Sequence, residues 1–148
     1  MMSDRIVKSV ELRAPVERVW QAVSDHREFG TWFRVQLDQP FEVGAASTGM
    51  MTYPGYEHVP WTARVVAVEP PSRLAFEWPH MDDQQQVRED WPWTLVEFRL
   101  EPEGEGTRLT VTESGFDALP VEVRDSSFRL NEGGWTEQMG NIAAHLGG

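Results

Sequence analysis

Two stretches in the middle of the chain constrain the fold most: "WTARVVAVEPPSRLAFEW" at 61–78 and "WTLVEFRLEPEGEGTRLTVTESGF" at 93–116. Each consists of two runs of alternating apolar and polar residues joined by turn chemistry, at Pro70-Pro71 and at "PEGEG". Period-two alternation marks half-buried strands, so each stretch reads as an antiparallel hairpin. In the second, pairing Leu100 with Leu109 sets Phe98 opposite Val111 and Val96 opposite Glu113. Glu97, Arg99, Arg108, Thr110 and Thr112 then share the wet face. In the first, the same exercise sets Val68 opposite Leu74, Val66 opposite Phe76 and Arg64 opposite Trp78. A sheet built this way has one apolar face that other elements must cover. Both registers leave a charge, Arg64 or Glu113, on that face. A buried charge needs a partner or a ligand. Strand ends open to water, mutual pairing and orientation of a ligand are each consistent with the pattern.

The covering elements lie at the two ends of the chain. After a strand in "RIVKSVELRAP", Pro15 opens a helix carrying Val16, Val19, Trp20 and Val23 at helical spacing as far as about Ser24. "DHREFGTWF" holds one further turn, with Phe29, Trp32 and Phe33 on its apolar side and Gly30 keeping it short. "FEVG" and "GMMTY" read as short strands and "PGYEHVP" as a turn. "HMDDQQQVREDWPW" has no periodicity and reads as a mobile loop. "DALPVEVRDSSFRLNEGG" is helical only in part. The terminal helix is expected to start after Gly133-Gly134, with Trp135, Met139, Ile142 and Leu146 on one face. On another face, Thr136, Gly140 and Ala144 form a strip of small residues that leaves room for a homodimer. The class is α+β.

Composition narrows the functions. At 148 residues the chain suits a single domain, 1–148. It has no apolar run of about 18 residues and no secretory leader, so no membrane association and a cytoplasmic location are expected. The absence of cysteine excludes disulfides, a thiolate nucleophile and Cys-ligated metals. The net charge is −11, from 24 acidic against 13 basic residues, which repels phosphate backbones. No nucleic-acid partner is expected. There is no nucleophile elbow, Walker loop, dinucleotide fingerprint or His-Glu-x-x-His. Ser114 and Ser127 have no adjacent base, and His80, Asp82 and Asp83 show spacing common in acidic loops. Neither a catalytic residue, a metal nor a cofactor is therefore assigned, although a carboxyl at Glu113, its pKa raised by apolar surroundings, is physically able to act as an acid or base.

"IVKSVELRAPVERVWQAVSD", "FGTWF", "FEVG", "VEPPSRLAFEW", "TRLTVTESGF" and "GGWTEQMGNIAAHL" together resemble, in order and over nearly the whole chain, the activator of heat-shock-protein-90 ATPase homologue-1-like family of the SRPBCC (START-like) superfamily. The resemblance implies a helix-grip fold: a curved antiparallel sheet wrapped around a long C-terminal helix, with two short N-terminal helices and a hydrophobic cavity between sheet and helix. Members of the superfamily bind lipids, sterols and polyketides, and some catalyse reactions in the same cavity. Fold does not fix chemistry. The chaperone activator behind the family name carries a further N-terminal domain not present in this sequence, so its stimulation of the chaperone is not carried over. The "HMDDQQQVREDWPW" segment is also longer than the family's connection.

The reading that follows is a binder or carrier of a small hydrophobic molecule, lipid-like or polycyclic aromatic. Its expected contacts are Trp32, Tyr53, Tyr56, Trp61, Arg64, Phe76, Trp78, Glu113, Phe116, Trp135, Met139 and Ile142. The rival readings are an enzyme using Glu113 or Arg64 in that cavity, and a chaperone-associated interaction module. Met139, at the centre of the terminal helix face, is expected to border a hollow.

Overall fold

The computed structural model describes residues 4–147; the domain reading also includes 1–3 and 148, which lie outside the described residues. Seven antiparallel strands form the main sheet: Arg5–Leu12 (β1), Val35–Leu37 (β2), Ala46–Met51 (β3), Pro60–Glu69 (β4), Arg73–Trp78 (β5), Thr94–Glu103 (β8) and Gly106–Ser114 (β9). Their spatial order is β1-β9-β8-β5-β4-β3-β2. His80–Met81 (β6) and Val87–Arg88 (β7) make a separate small hairpin. Three helices, Val16–Ser24 (α1), His26–Phe33 (α2) and Val121–His145 (α3), cover the inner face. The result is the helix-grip fold, with the curved sheet wrapped around α3.

The β8–β9 hairpin has the expected register, with Leu100 opposite Leu109, Phe98 opposite Val111 and Val96 opposite Glu113. The β4–β5 hairpin departs from it. Val68 still opposes Leu74, but an irregularity between Val65 and Ala67 inserts Val66 as an extra residue, so Val65 meets Phe76 and Arg64 meets Glu77. A bulge reverses strand parity on one side only. Arg64 therefore lies on the outer face, 3.8 Å from the Glu77 carboxylate and over the Trp93 ring.

Four other expectations change. The Asp25 carboxylate caps α2 by accepting from the Arg27 and Glu28 amides at 2.9 and 3.1 Å, so α2 runs for eight residues. Gly30 does not shorten it. A Cβ there would stand 2.2 Å from the Val35 carbonyl oxygen, so glycine lets β2 pass close by. "FEVG" is not a strand, and the edge strand is "VQL" before it. "HMDDQQQVREDWPW" is partly ordered by β6–β7: Asp82 accepts from the Gln84 and Gln86 amides across the turn, and Arg88 grips Asp90 with two hydrogen bonds. Two-residue strands are too short to show a period. Finally, α3 spans 25 residues and passes straight through Gly133-Gly134. Packing of its inner face outweighs the helix-weakening tendency of two glycines.

The core fills the space between the sheet and the helices. Phe29, Phe76, Phe98, Val19, Val23 and Ile142 are wholly buried there, and Phe29 touches the rings of Trp32, Phe33, Phe41, Trp61 and Phe98. Met139 is 5 % exposed within this core, so the expected hollow at that point is filled.

Candidate functional site

A groove of 560 Å³ opens beside this core, between the middle of α3 (residues 127–138) and the edge formed by the β3–β4 connection, the end of β5 and the β6–β7 hairpin. Helical spacing of four residues aligns side chains along a face, and α3 presents three such rows. Ser127, Asn131 and Trp135 are innermost, Leu130, Gly134 and Gln138 run down the middle, and Arg129, Gly133 and Glu137 form the outer lip. A Cβ added to Gly133 or Gly134 would meet nothing within 4 Å. At the middle of the helix the wall of the groove is bare backbone.

Opposite the helix the wall is aromatic. Trp61 and Trp78 line the groove with Trp135, and Tyr53 and Tyr56 stand at the rim. The rings of Trp78 and Trp135 stack at 5.6 Å and 24°. Their indole N–H groups both donate to one buried carboxylate, that of Glu113, at 2.7 and 2.8 Å. Asn131 Nδ2 donates to both Glu113 oxygens at 3.0 and 3.1 Å, and the Thr94 hydroxyl donates at 2.5 Å. A carboxylate offers about four acceptor sites, and these donors occupy them. Because they come from β5, β8 and α3, Glu113 on β9 ties the helix to the sheet and fixes two groove-lining rings in one orientation.

Thr94 uses its proton on Glu113, so it must accept from His80 Nε2, 2.7 Å away; that nitrogen carries a hydrogen. His80 Nε2 also lies 3.5 Å from Glu113 Oε2. Burial is the largest influence on Glu113 and pushes its pKa up, but the His80 contact and charge, with the Thr94 and Trp78 hydrogen bonds, outweigh it. The carboxyl is held below its ordinary value. The expectation of a raised pKa, and of a free acid or base, is overturned: Glu113 is ionised and has no acceptor site left for a ligand.

The rim is held by bonds from α3 to the β3–β4 connection and to the end of α2. Tyr53 donates to Glu137 at 2.7 Å, which raises the phenol pKa, and Gln138 Nε2 donates to the Phe33 carbonyl at 3.0 Å. At the other end of the outer row, Arg129 is exposed and has no ion-pair, hydrogen-bond or ring partner among the described residues.

Of the contacts expected from sequence, Tyr53, Tyr56 and Trp78 line the groove, and Trp61 and Trp135 border it as rings that are 4% and 2% exposed and otherwise packed into the core. Phe76, Phe116, Met139 and Ile142 are core instead, because their faces are already covered by protein atoms. Trp32 is also core, and its indole N–H donates to the Ala22 carbonyl at 2.8 Å, joining α2 to α1. Arg64 is outside and Glu113 lies behind the wall. Sequence reading missed His80, Asn131, Gly133, Gly134 and Gln138. Spacing could have found Asn131, which lies one turn before Trp135, had the helix been carried upstream of the glycines. His80, Asp82 and Asp83 do not converge: among the described residues no group of three or more His, Asp or Glu could hold a metal. No described helix is long and apolar enough to cross a membrane. The Thr136, Gly140 and Ala144 strip is exposed.

The family model for Activator of Hsp90 ATPase homolog 1-like protein matches residues 13–147. No curated protein matches the sequence. Among solved structures, DynU16, a protein in the dynemicin biosynthetic locus, is 28% identical with a TM-score of 0.75, covering 98% of this chain and 48% of its own. This chain thus spans about half the length of DynU16. A protein from Arthrobacter aurescens (22% identity, TM-score 0.78, 97% of this chain and 86% of that one) shares the fold. So does the Aha1 dimer from Colwellia psychrerythraea (16% identity, TM-score 0.72, 99% and 96%).

Proposed function

The chain belongs to the Activator of Hsp90 ATPase homolog 1-like family, in the SRPBCC (START-like) superfamily, and from that premise we propose that it binds a small hydrophobic molecule in the groove beside α3. One observation carries this reading: the groove wall is built of indoles whose polar edges are satisfied behind it. Trp78 and Trp135 donate to Glu113 and Trp61 donates to Ser47 at 3.0 Å, so none of the three N–H groups needs water or a ligand. What remains for an occupant is fixed apolar surface, the usual lining of a small-molecule site. Rigid rings lose little entropy on binding, which favours a flat, polycyclic aromatic occupant over a flexible chain. The place of DynU16 in a biosynthetic locus is consistent with a small organic molecule as cargo.

The enzyme reading named Glu113 and Arg64 as the polarising groups. Glu113 is saturated by donors and Arg64 faces away, so neither supports it.

Titration with Nile red, a neutral apolar dye, tests the proposal. The parent should bind it at micromolar concentration. Gly134→Leu, which places a side chain into open groove, should fold normally and lose affinity about tenfold or more. A folded parent with no dye binding, or a Leu variant that binds as the parent does, would overturn it.

A further inference from the structure

We infer that the groove selects an organic anion: a flat apolar body bearing one carboxylate or similar oxyanion, seated against Gly133-Gly134 with its charge at Arg129. This rests on the binding reading above and specifies its ligand class.

The outer row of α3 has unlike ends. Arg129 and Glu137 are eight residues apart, about 12 Å along the axis at 1.5 Å per residue. Glu137 is already engaged by the Tyr53 hydroxyl, which closes that end. Arg129 lines the other end and makes no ion pair among the described residues; the carboxylates one turn away on α3 are Asp125, which is exposed, and Glu132, which faces Lys8 at 3.9 Å. Arg18, Arg64, Arg73, Arg88, Arg99 and Arg108 each pair with a carboxylate away from the groove interior. Among the described residues that line the groove, Arg129 is the one Lys or Arg, so its guanidinium is the cation available at the lip. The overall charge of −11 repels anions, so an anion would be admitted only where a cation dominates locally. A guanidinium also matches two oxygens of a carboxylate at once.

Between these ends the helix exposes backbone. A mid-helix glycine weakens a helix relative to alanine, and nothing packs against either Gly133 or Gly134 to require one. Leaving the space open accounts for both. Leu130, 55% exposed beside Arg129, gives the same end an apolar lip. Of the other titratable groups at the groove, His80 Nε2 donates to Thr94, Glu137 accepts from Tyr53 and Glu113 lies behind the indoles.

The test uses a matched pair of probes, 1-pyrenebutyrate and its neutral methyl ester, followed by energy transfer from tryptophan. The parent should bind the acid about three- to tenfold more tightly than the ester, a preference that shrinks with added salt. Arg129→Gln should erase the preference and Arg129→Lys should retain part of it. If the ester binds as well as the acid to the parent, or the preference survives Arg129→Gln, the inference fails while groove binding stands. If neither probe nor Nile red binds, both fall.

Discussion

Two neighbouring faces of α3 meet the rest of the molecule in opposite ways. Met139 and Ile142 are sealed against the sheet and the N-terminal helices. One row over, Leu130 and Gly134 face open space, while Gln138 donates to the Phe33 carbonyl and accepts from Asn141. The packed face is apolar at helical period, while the groove face is a mixture of glycine, amide and a lone leucine. A strongly apolar helix face therefore marked where protein packs. The ligand-facing row was marked instead by small residues that a packing argument would not choose.

The largest test of this contrast attacks the bolt between the faces. Glu113→Gln keeps size but turns acceptor sites towards donors, leaving indole, amide and hydroxyl protons without partners in the interior. It should cost about 3–5 kcal/mol in a denaturant melt; near-parental stability would show that the network ties nothing down. The same residue sets a pH dependence. Its folded pKa is lowered, so its contribution is fully present above the ordinary glutamate range and is lost as pH falls through the folded value. Parent stability should decline on acidification in that window, and the Gln variant should decline less.

Met139→Trp comes next, since overpacking a filled core costs about 1–3 kcal/mol. A variant as stable as the parent would mean that the packed face conceals a void and that the two faces are alike. The smallest effect has the opposite sign. Gly134→Ala should stabilise by up to about 1 kcal/mol by helix propensity alone, because no neighbour obstructs the new methyl group, yet it should weaken Nile red binding. Stabilisation without loss of binding would detach Gly134 from the site.

Much of the fold was legible in the sequence wherever alternation or helical spacing ran unbroken. The β8–β9 register followed directly from its pattern, as did β1 and the start of α1 at Pro15. The register of β4–β5 was lost at Val66, because a bulge adds a residue without leaving a compositional mark. The start of α3 was misplaced because Gly133-Gly134 resembles a boundary when propensity is weighed alone. In the candidate site, the aromatic rim residues were found because large rings stand out. Asn131 and His80 were not, since each matters only through a hydrogen bond to a residue distant in sequence.

The sequence by itself determined which residues share a face, since strand and helix periods are local properties of the chain. It also identified Glu113 as a charge on an apolar surface. Only the tertiary structure decided what each face meets. Glu113 draws its donors from positions 78, 94, 131 and 135, which local pattern cannot bring together. The groove exists because the β3–β4 connection meets α3 at the Tyr53–Glu137 hydrogen bond and, with the β6–β7 hairpin, leaves open space along the helix beyond it. A void is an absence of atoms between elements distant in sequence, so no local pattern of residues encodes it.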